Sequence, residues 1–240
     1  MLKQSIFIGC LIFFSQLHPS HIKLLMKKRI VTKAESKELL RLETFSDGVF
    51  AIAITLLILE LIQVLHYDTK APLSQLLLDN WKSLVAFIIG FLTILICWIN
   101  HHLVISYTHK ADTNLFWING FVLLVVTFTP FPTAILAEYL QEETHHALAF
   151  FGFNYFMMSL ASYLISAYVL NRLVRKTGSD LLYYHTLLYK YSIVYTLIAF
   201  FICFVSVPLA ILLYLILFIV FASPKRFAMM LLRRNGQRVK

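Results

Sequence analysis

The sequence predicts an all-α, polytopic membrane protein, and three observations carry that reading. Apolar residues make up 60% of the chain and charged residues 14%, where soluble domains hold roughly 45–50% and 25%. Apolar runs recur along the chain at about the ~20-residue length that crosses a bilayer as a helix. None of them alternates apolar and polar residues in the way of barrel strands. A mean hydropathy of +0.77 agrees.

Residues 5–17 form an apolar run short for a span, with the length of a signal-peptide core or a surface-lying helix. Met26-Lys27-Lys28-Arg29 reads as an alternative start, so residues 1–32 are taken as an N-terminal extension. Residues 33–44 are charged and helix-prone and lead into the first span, which runs apolar from Gly48 to Leu65. About 18 residues at 1.5 Å each cover roughly 27 Å. A polar loop is expected over 66–80, then a second span from Trp81 to Ile105. The third, Asn114 to Tyr139, holds Pro130-Phe131-Pro132, which should kink it and free carbonyls. An acidic loop precedes a fourth span, His145 to Leu170. The apolar stretch from Tyr191 to Ala222 is too long for one span and divides at Ser206-Val207-Pro208 into two short helices. Six spans over residues 33–222 result, followed by a basic tail, 223–240.

Charge placement orients this array. With the amino terminus inside, 18 of the 21 Lys and Arg residues fall on cytoplasmic segments, while the outer loops hold Lys70 and Lys82. That is the positive-inside bias, so both termini are expected in the cytoplasm and the protein in the cell membrane. The net charge of +9 then meets anionic headgroups at the inner surface rather than nucleic acid.

The first span carries more polar chemistry than a lipid-facing helix needs. On a helical wheel Phe45, Gly48, Ile52, Thr55, Leu56, Leu59 and Gln63 share a stripe about 100° wide. Asp47 points well away from it, toward neighbouring helices. The second span returns across the membrane, so Arg41, Ser46 and Asp47 share a leaflet with Trp98, Asn100, His101 and His102. A carboxylate at that depth requires donors or a cation, and Trp, His or Arg supplies them. Glu60 and Gln63 lie near the outer mouth. Tyr183-Tyr184-His185 and Trp117 read as interfacial anchors. Adjacent histidines point about 100° apart on a helix, so His101 and His102 do not chelate one metal without partners. Cys10, Cys97 and Cys203 are isolated in apolar sequence and form neither a disulfide frame nor a metal set. No phosphate loop or nucleophile elbow is present, so neither a cofactor nor an enzyme is expected.

Arg41 with Phe45-Ser46-Asp47-Gly48-Val49-Phe50-Ala51-Ile52-Ala53-Ile54-Thr55, then Trp98-Ile99-Asn100-His101-His102, then Asn114-Leu115-Phe116-Trp117 and Pro130-Phe131-Pro132-Thr133, resembles the prokaryotic branch of the transmembrane protein 175 family. The resemblance implies a homotetrameric potassium channel of six-helix subunits, its central pore lined by the first helix of each. It places rings of Ile52, Leu56 and Leu59 at the constriction, with the Thr55 hydroxyl beside it, and makes K⁺ a permeant ion rather than a cofactor. Arg41, Phe45, Ser46, Asp47, Trp98, Asn100, His101 and His102 are then expected to fix the pore helix or its gating. A proton-coupled secondary transporter relaying through Asp47, His101 and His102 is the alternative, favoured by broken helices but lacking an internal inverted repeat.

Overall fold

The computed structural model describes residues 19–67, 72–139, 143–174 and 179–222, with side chains at all of these except 19–35, 60, 63–67, 73, 79 and 179. The segment before Pro19 and the basic tail 223–240 lie outside the described residues. Among the described residues eight α-helices follow one another: α1 Pro19–Tyr67, α2 Leu73–Asp79, α3 Trp81–Ser106, α4 Thr113–Phe128, α5 Pro130–Tyr139, α6 Thr144–Tyr168, α7 Ser179–Ile202 and α8 Val207–Ala222. Five helical stretches among the described residues are long and apolar enough to cross a membrane: Ser36–Leu59, Trp81–Ser106, Thr113–Tyr139, Thr144–Leu173 and Asp180–Ile202. The sixth expected span, α8, is apolar throughout, but its 16 residues reach only about 24 Å.

Several boundaries differ from the sequence reading. α1 runs without a break through the expected 32/33 boundary and the charged segment 33–44. The expected loop 66–80 contains α2, whose end is closed by Asn80, its Nδ2 donating to the Leu76 carbonyl at 2.8 Å. α6 ends two residues before the expected Leu170 and continues as one π-helical turn, Val169–Leu173. α7 begins at Ser179 rather than Tyr191. The Tyr183-Tyr184-His185 cluster is therefore not an interfacial anchor as a unit: Tyr184 and His185 are buried, and Tyr183 alone is exposed. A helix turns successive side chains by about 100°, so three adjacent residues cannot share one environment.

The expected proline break falls between α4 and α5. Pro130 has no N–H for the Val126 carbonyl, and the Thr129 N–H takes that oxygen instead, at 3.1 Å. The Thr129 hydroxyl donates to the Val125 carbonyl at 3.1 Å and accepts from Asn154 Nδ2 at 3.1 Å. Thus α6 braces the break. Between α7 and α8 the Val205 and Ser206 N–H groups close on the Ile202 carbonyl at 3.0 and 2.8 Å. Pro208 then occupies the first turn of α8, where no N–H is needed.

α6 is the hub of the bundle, packing on α4, α5 and α7 and touching α3 and α8. Its buried positions include Ala147, Ala149, Gly152, Ser159, Ala161, Ser162 and Ser166, small residues that let neighbouring backbones approach. α1 lies at the edge, against α3, α4 and part of α5. Its packing side is a row at helical spacing, Leu42, Ser46, Phe50, Ala53 and Leu57, all buried. Leu57 is tightly enclosed, for a Cβ added at Gly90 of α3 would stand 3.1 Å from its Cδ2. Leu57→Ala should therefore destabilise the protein by about 2 kcal/mol, the low end for core leucines, because in lipid the loss is packing rather than transfer. Ile52→Ala on the opposite side of the same helix should change stability by less than about 0.5 kcal/mol. Thermal unfolding in detergent measures both.

Candidate functional site

The two sides of α1 differ in chemistry. Around the helix from its packing row, Phe45, Ile52, Leu56 and Leu59 are exposed, at 65%, 59%, 41% and 49%. Thr55 is exposed among them, and its hydroxyl donates to the Ile52 carbonyl at 2.9 Å rather than to the Ala51 carbonyl. With its proton committed inward, the oxygen keeps lone pairs facing out. Ala51, Ile58 and Ile62 are exposed too, so the free arc spans about half the helix circumference, wider than the 100° stripe. The side chains of Glu60 and Gln63 lie outside the described residues.

At one end of α1 the packing side becomes polar. Ser46 is fully buried, and its hydroxyl donates to the Leu42 carbonyl at 2.8 Å and accepts from Asn119 Nδ2 at 2.9 Å. Asn119 Oδ1 lies 2.7 Å from His101 Nε2, which donates to it in the Nε2-protonated tautomer. His101 is buried, its ring 5.4 Å from that of Phe50. The chain His101 to Asn119 to Ser46 to the Leu42 carbonyl joins α3, α4 and α1, and its donors end on a backbone oxygen.

A second, wetter group lies beside it. Trp98 Nε1 donates to Asp47 Oδ1 at 2.8 Å, and the Trp98 ring stacks on His102 with centroids 6.0 Å apart. His102 Nδ1 lies 3.4 Å from Glu43 Oε1, both side chains partly exposed. Such a pair contributes little to stability, at most about 1 kcal/mol.

The predicted residues thus divide. Ser46, Asp47, Trp98, His101 and His102 come together. Asn100 does not join them: its Nδ2 donates to the Ile96 carbonyl at 2.7 Å and the Phe221 carbonyl at 3.2 Å, and its Oδ1 faces His185 Nε2 at 3.0 Å. Neighbours on a helix diverge by about 100°, which sends Asn100 toward α7 and α8 and His101 toward α4. Arg41 and Phe45 are exposed. Sequence reasoning missed Glu43, Asn119 and His185. Asn119 had a signal, being a lone amide in the apolar run of α4. Glu43 had a weaker one, lying one turn before Asp47. Among the described residues no group of three or more His, Cys, Asp or Glu side chains could hold a metal ion.

The sequence model of the family described as "Endosomal/lysosomal potassium channel TMEM175" matches residues 41–130. Every predicted site residue falls in that range. The crystal structure of a lysosomal potassium-selective channel TMEM175 homolog from Chamaesiphon minutus superposes with a TM-score of 0.68 at 34% identity, over 79% of this chain and 98% of that one. The chain belongs to the TMEM175 family. A potassium channel of Chamaesiphon minutus is 49% identical over 113 residues, which are 46% of this chain and 55% of the relative. One of Streptomyces collinus is 48% identical over 123 residues, 50% of this chain and 59% of the relative. The match thus spans little more than half the length of these relatives. α6, α7 and α8 lie beyond the TMEM175 sequence match, and it is the structural superposition that extends past it.

Asn119→Leu should strand His101 Nε2 in a buried setting and take the Nδ2 donor from the Ser46 oxygen, whose own proton stays on the Leu42 carbonyl, and destabilise the protein by about 2 kcal/mol. Leu124→Ala, at an exposed position of the same helix, should leave the melting temperature within a degree or two of wild type.

Proposed function

We propose that this TMEM175 family member is a subunit of a homotetrameric, potassium-preferring cation channel whose central pore is lined by α1. The carrying observation is the two-sidedness of α1. One row of the helix is consumed by packing and a polar hydrogen-bond chain, while Ile52, Leu56 and Leu59 stand free, one or two turns apart on one stripe. Four copies of such a stripe around an axis make stacked rings of aliphatic side chains. A cation passing them loses water and finds no replacement ligands, so the rings form a dry constriction that conducts when it widens. The outward lone pairs of Thr55 offset part of that loss and favour the ion that sheds water more readily. Glu60 and Gln63 draw cations to the outer mouth.

Asp47, Trp98, Ser46, His101 and His102 hold the pore helix in register against α3 and α4. Arg41 and Phe45 flank that end. The excess of basic residues on cytoplasmic segments supports a cell-membrane orientation with both termini inside, the basic surface facing anionic headgroups. The proton-relay alternative is not favoured. His101 Nε2 is engaged by Asn119 and Asp47 Oδ1 by Trp98, and among the described residues no hydrogen bond joins Asp47, His101 and His102 to one another. The relatives are named potassium channels.

Ion flux through purified protein in liposomes tests the reading. Wild type should carry passive K⁺ flux in excess of Na⁺ flux. Ile52→Ala, Leu56→Ala and Leu59→Ala should each raise the flux or reduce the K⁺ preference severalfold. Saturable, proton-dependent flux indifferent to all three would end the channel reading. Asp47→Asn should alter assembly or opening, measured as tetramer content and total flux, while leaving the K⁺ to Na⁺ ratio within about twofold. A pure change in selectivity would count against the anchoring role.

A further inference from the structure

At the opposite end of the bundle from Asp47 and His101 lies a cleft that neither α1 nor the pore reading uses. It encloses about 340 Å³ between α3, α5, α6 and α8. It follows α3 from Trp81 to Leu92, about 16 Å at helical rise, or half the depth of a ~30 Å hydrocarbon core. Val85, Ile89, Leu136, Phe151, Ile211 and Phe218 make apolar walls. Deeper in, Tyr155 and Tyr214 turn their polar atoms to protein: the Tyr155 hydroxyl lies 2.7 Å from Thr93 Oγ1, and that of Tyr214 lies 3.6 Å from Cys203 Sγ. Their rings are left to a guest. Lys82 is the one charged side chain of the lining, in the first turn of α3, half-buried and without an ion pair among the described residues.

Three properties select the occupant. The volume is more than twice that of a ~150 Å³ apolar cavity able to bind benzene, so it takes a larger apolar group. The cleft opens beside α8, whose exposed positions Leu209, Leu212, Leu215, Ile216 and Ile219 are all aliphatic, the character of a surface that meets acyl chains. At the mouth, on the outer side in the orientation proposed above, a lysine beside the half-exposed Trp81 sits at headgroup level, where one cation complements one phosphate.

We propose that the cleft is a site for an anionic membrane phospholipid, one acyl chain lying between α3, α6 and α8 and the phosphate on Lys82. The proposal is independent of the pore, since α1 contributes no residue to the cleft. The site is tested on the full-length protein by native mass spectrometry, titrating phosphatidylglycerol and phosphatidylcholine. Lys82→Gln should weaken the tightest phosphatidylglycerol about fivefold, the effect of one interfacial cation, and leave phosphatidylcholine unchanged. Val85→Trp, at the mouth, and Leu215→Trp, on the exposed lip of α8, should weaken both lipids. The second needs no space in the core and guards against misfolding of the first. Wild-type phosphatidylglycerol binding in Lys82→Gln, an equal loss of both lipids in that variant, or unchanged binding in the two tryptophan variants would overturn the proposal.

Discussion

The seating of α1 on α3 and α4 is the constraint on which the rest of the molecule depends. A helix in lipid gains little from hiding apolar side chains, because lipid is as apolar as the protein interior. Position must come from close packing and from polar groups that find partners nowhere else. α1 uses both along one row. Leu42, Phe50, Ala53 and Leu57 interlock with α3 and α4, and Ser46 is bonded to Asn119. That leaves the opposite half of the helix free along the same length.

The polar chain through His101, Asn119 and Ser46 suits the membrane because it ends. Each donor has an acceptor, and the last acceptor is a backbone carbonyl of α1 itself. A buried polar group without a partner costs about 1–3 kcal/mol, so a chain that closes specifies one arrangement of three helices among many apolar ones. Polar groups also brace the Pro130 break, where the Thr129 N–H takes the Val126 carbonyl that proline leaves free and Asn154 Nδ2 bonds the Thr129 hydroxyl. Asn100 and His185 tie α3 to α7 as well, with the Phe221 carbonyl of α8 as a third partner.

The bundle therefore separates its tasks by helix. Small-residue α6 gathers the neighbours, α3 carries polar groups in two directions, and α1 is held from one side. A free aliphatic stripe on a rigidly held helix is what an apolar constriction requires, since ring diameter follows from where the helix sits. Bulky side chains that touched their own protomer would serve packing instead.

The chain by itself determined the class, the rough limits of the first four spans, the proline break, and the stripe of Ile52, Thr55, Leu56 and Leu59. Those features rest on local quantities: run length, helical period and the missing proton of proline. It also put Asp47 and Trp98 at one depth, which up-and-down threading of spans makes countable. It could not say that Asn119 stands between Ser46 and His101, that Asn100 turns its back on His101, or that α7 starts early enough to bury His185. Which amide meets which hydroxyl depends on the rotation of each helix about its axis and on which helices are neighbours. Hydropathy is nearly uniform around most of these helices, so neither quantity is written in the pattern. Only the packed bundle decided them.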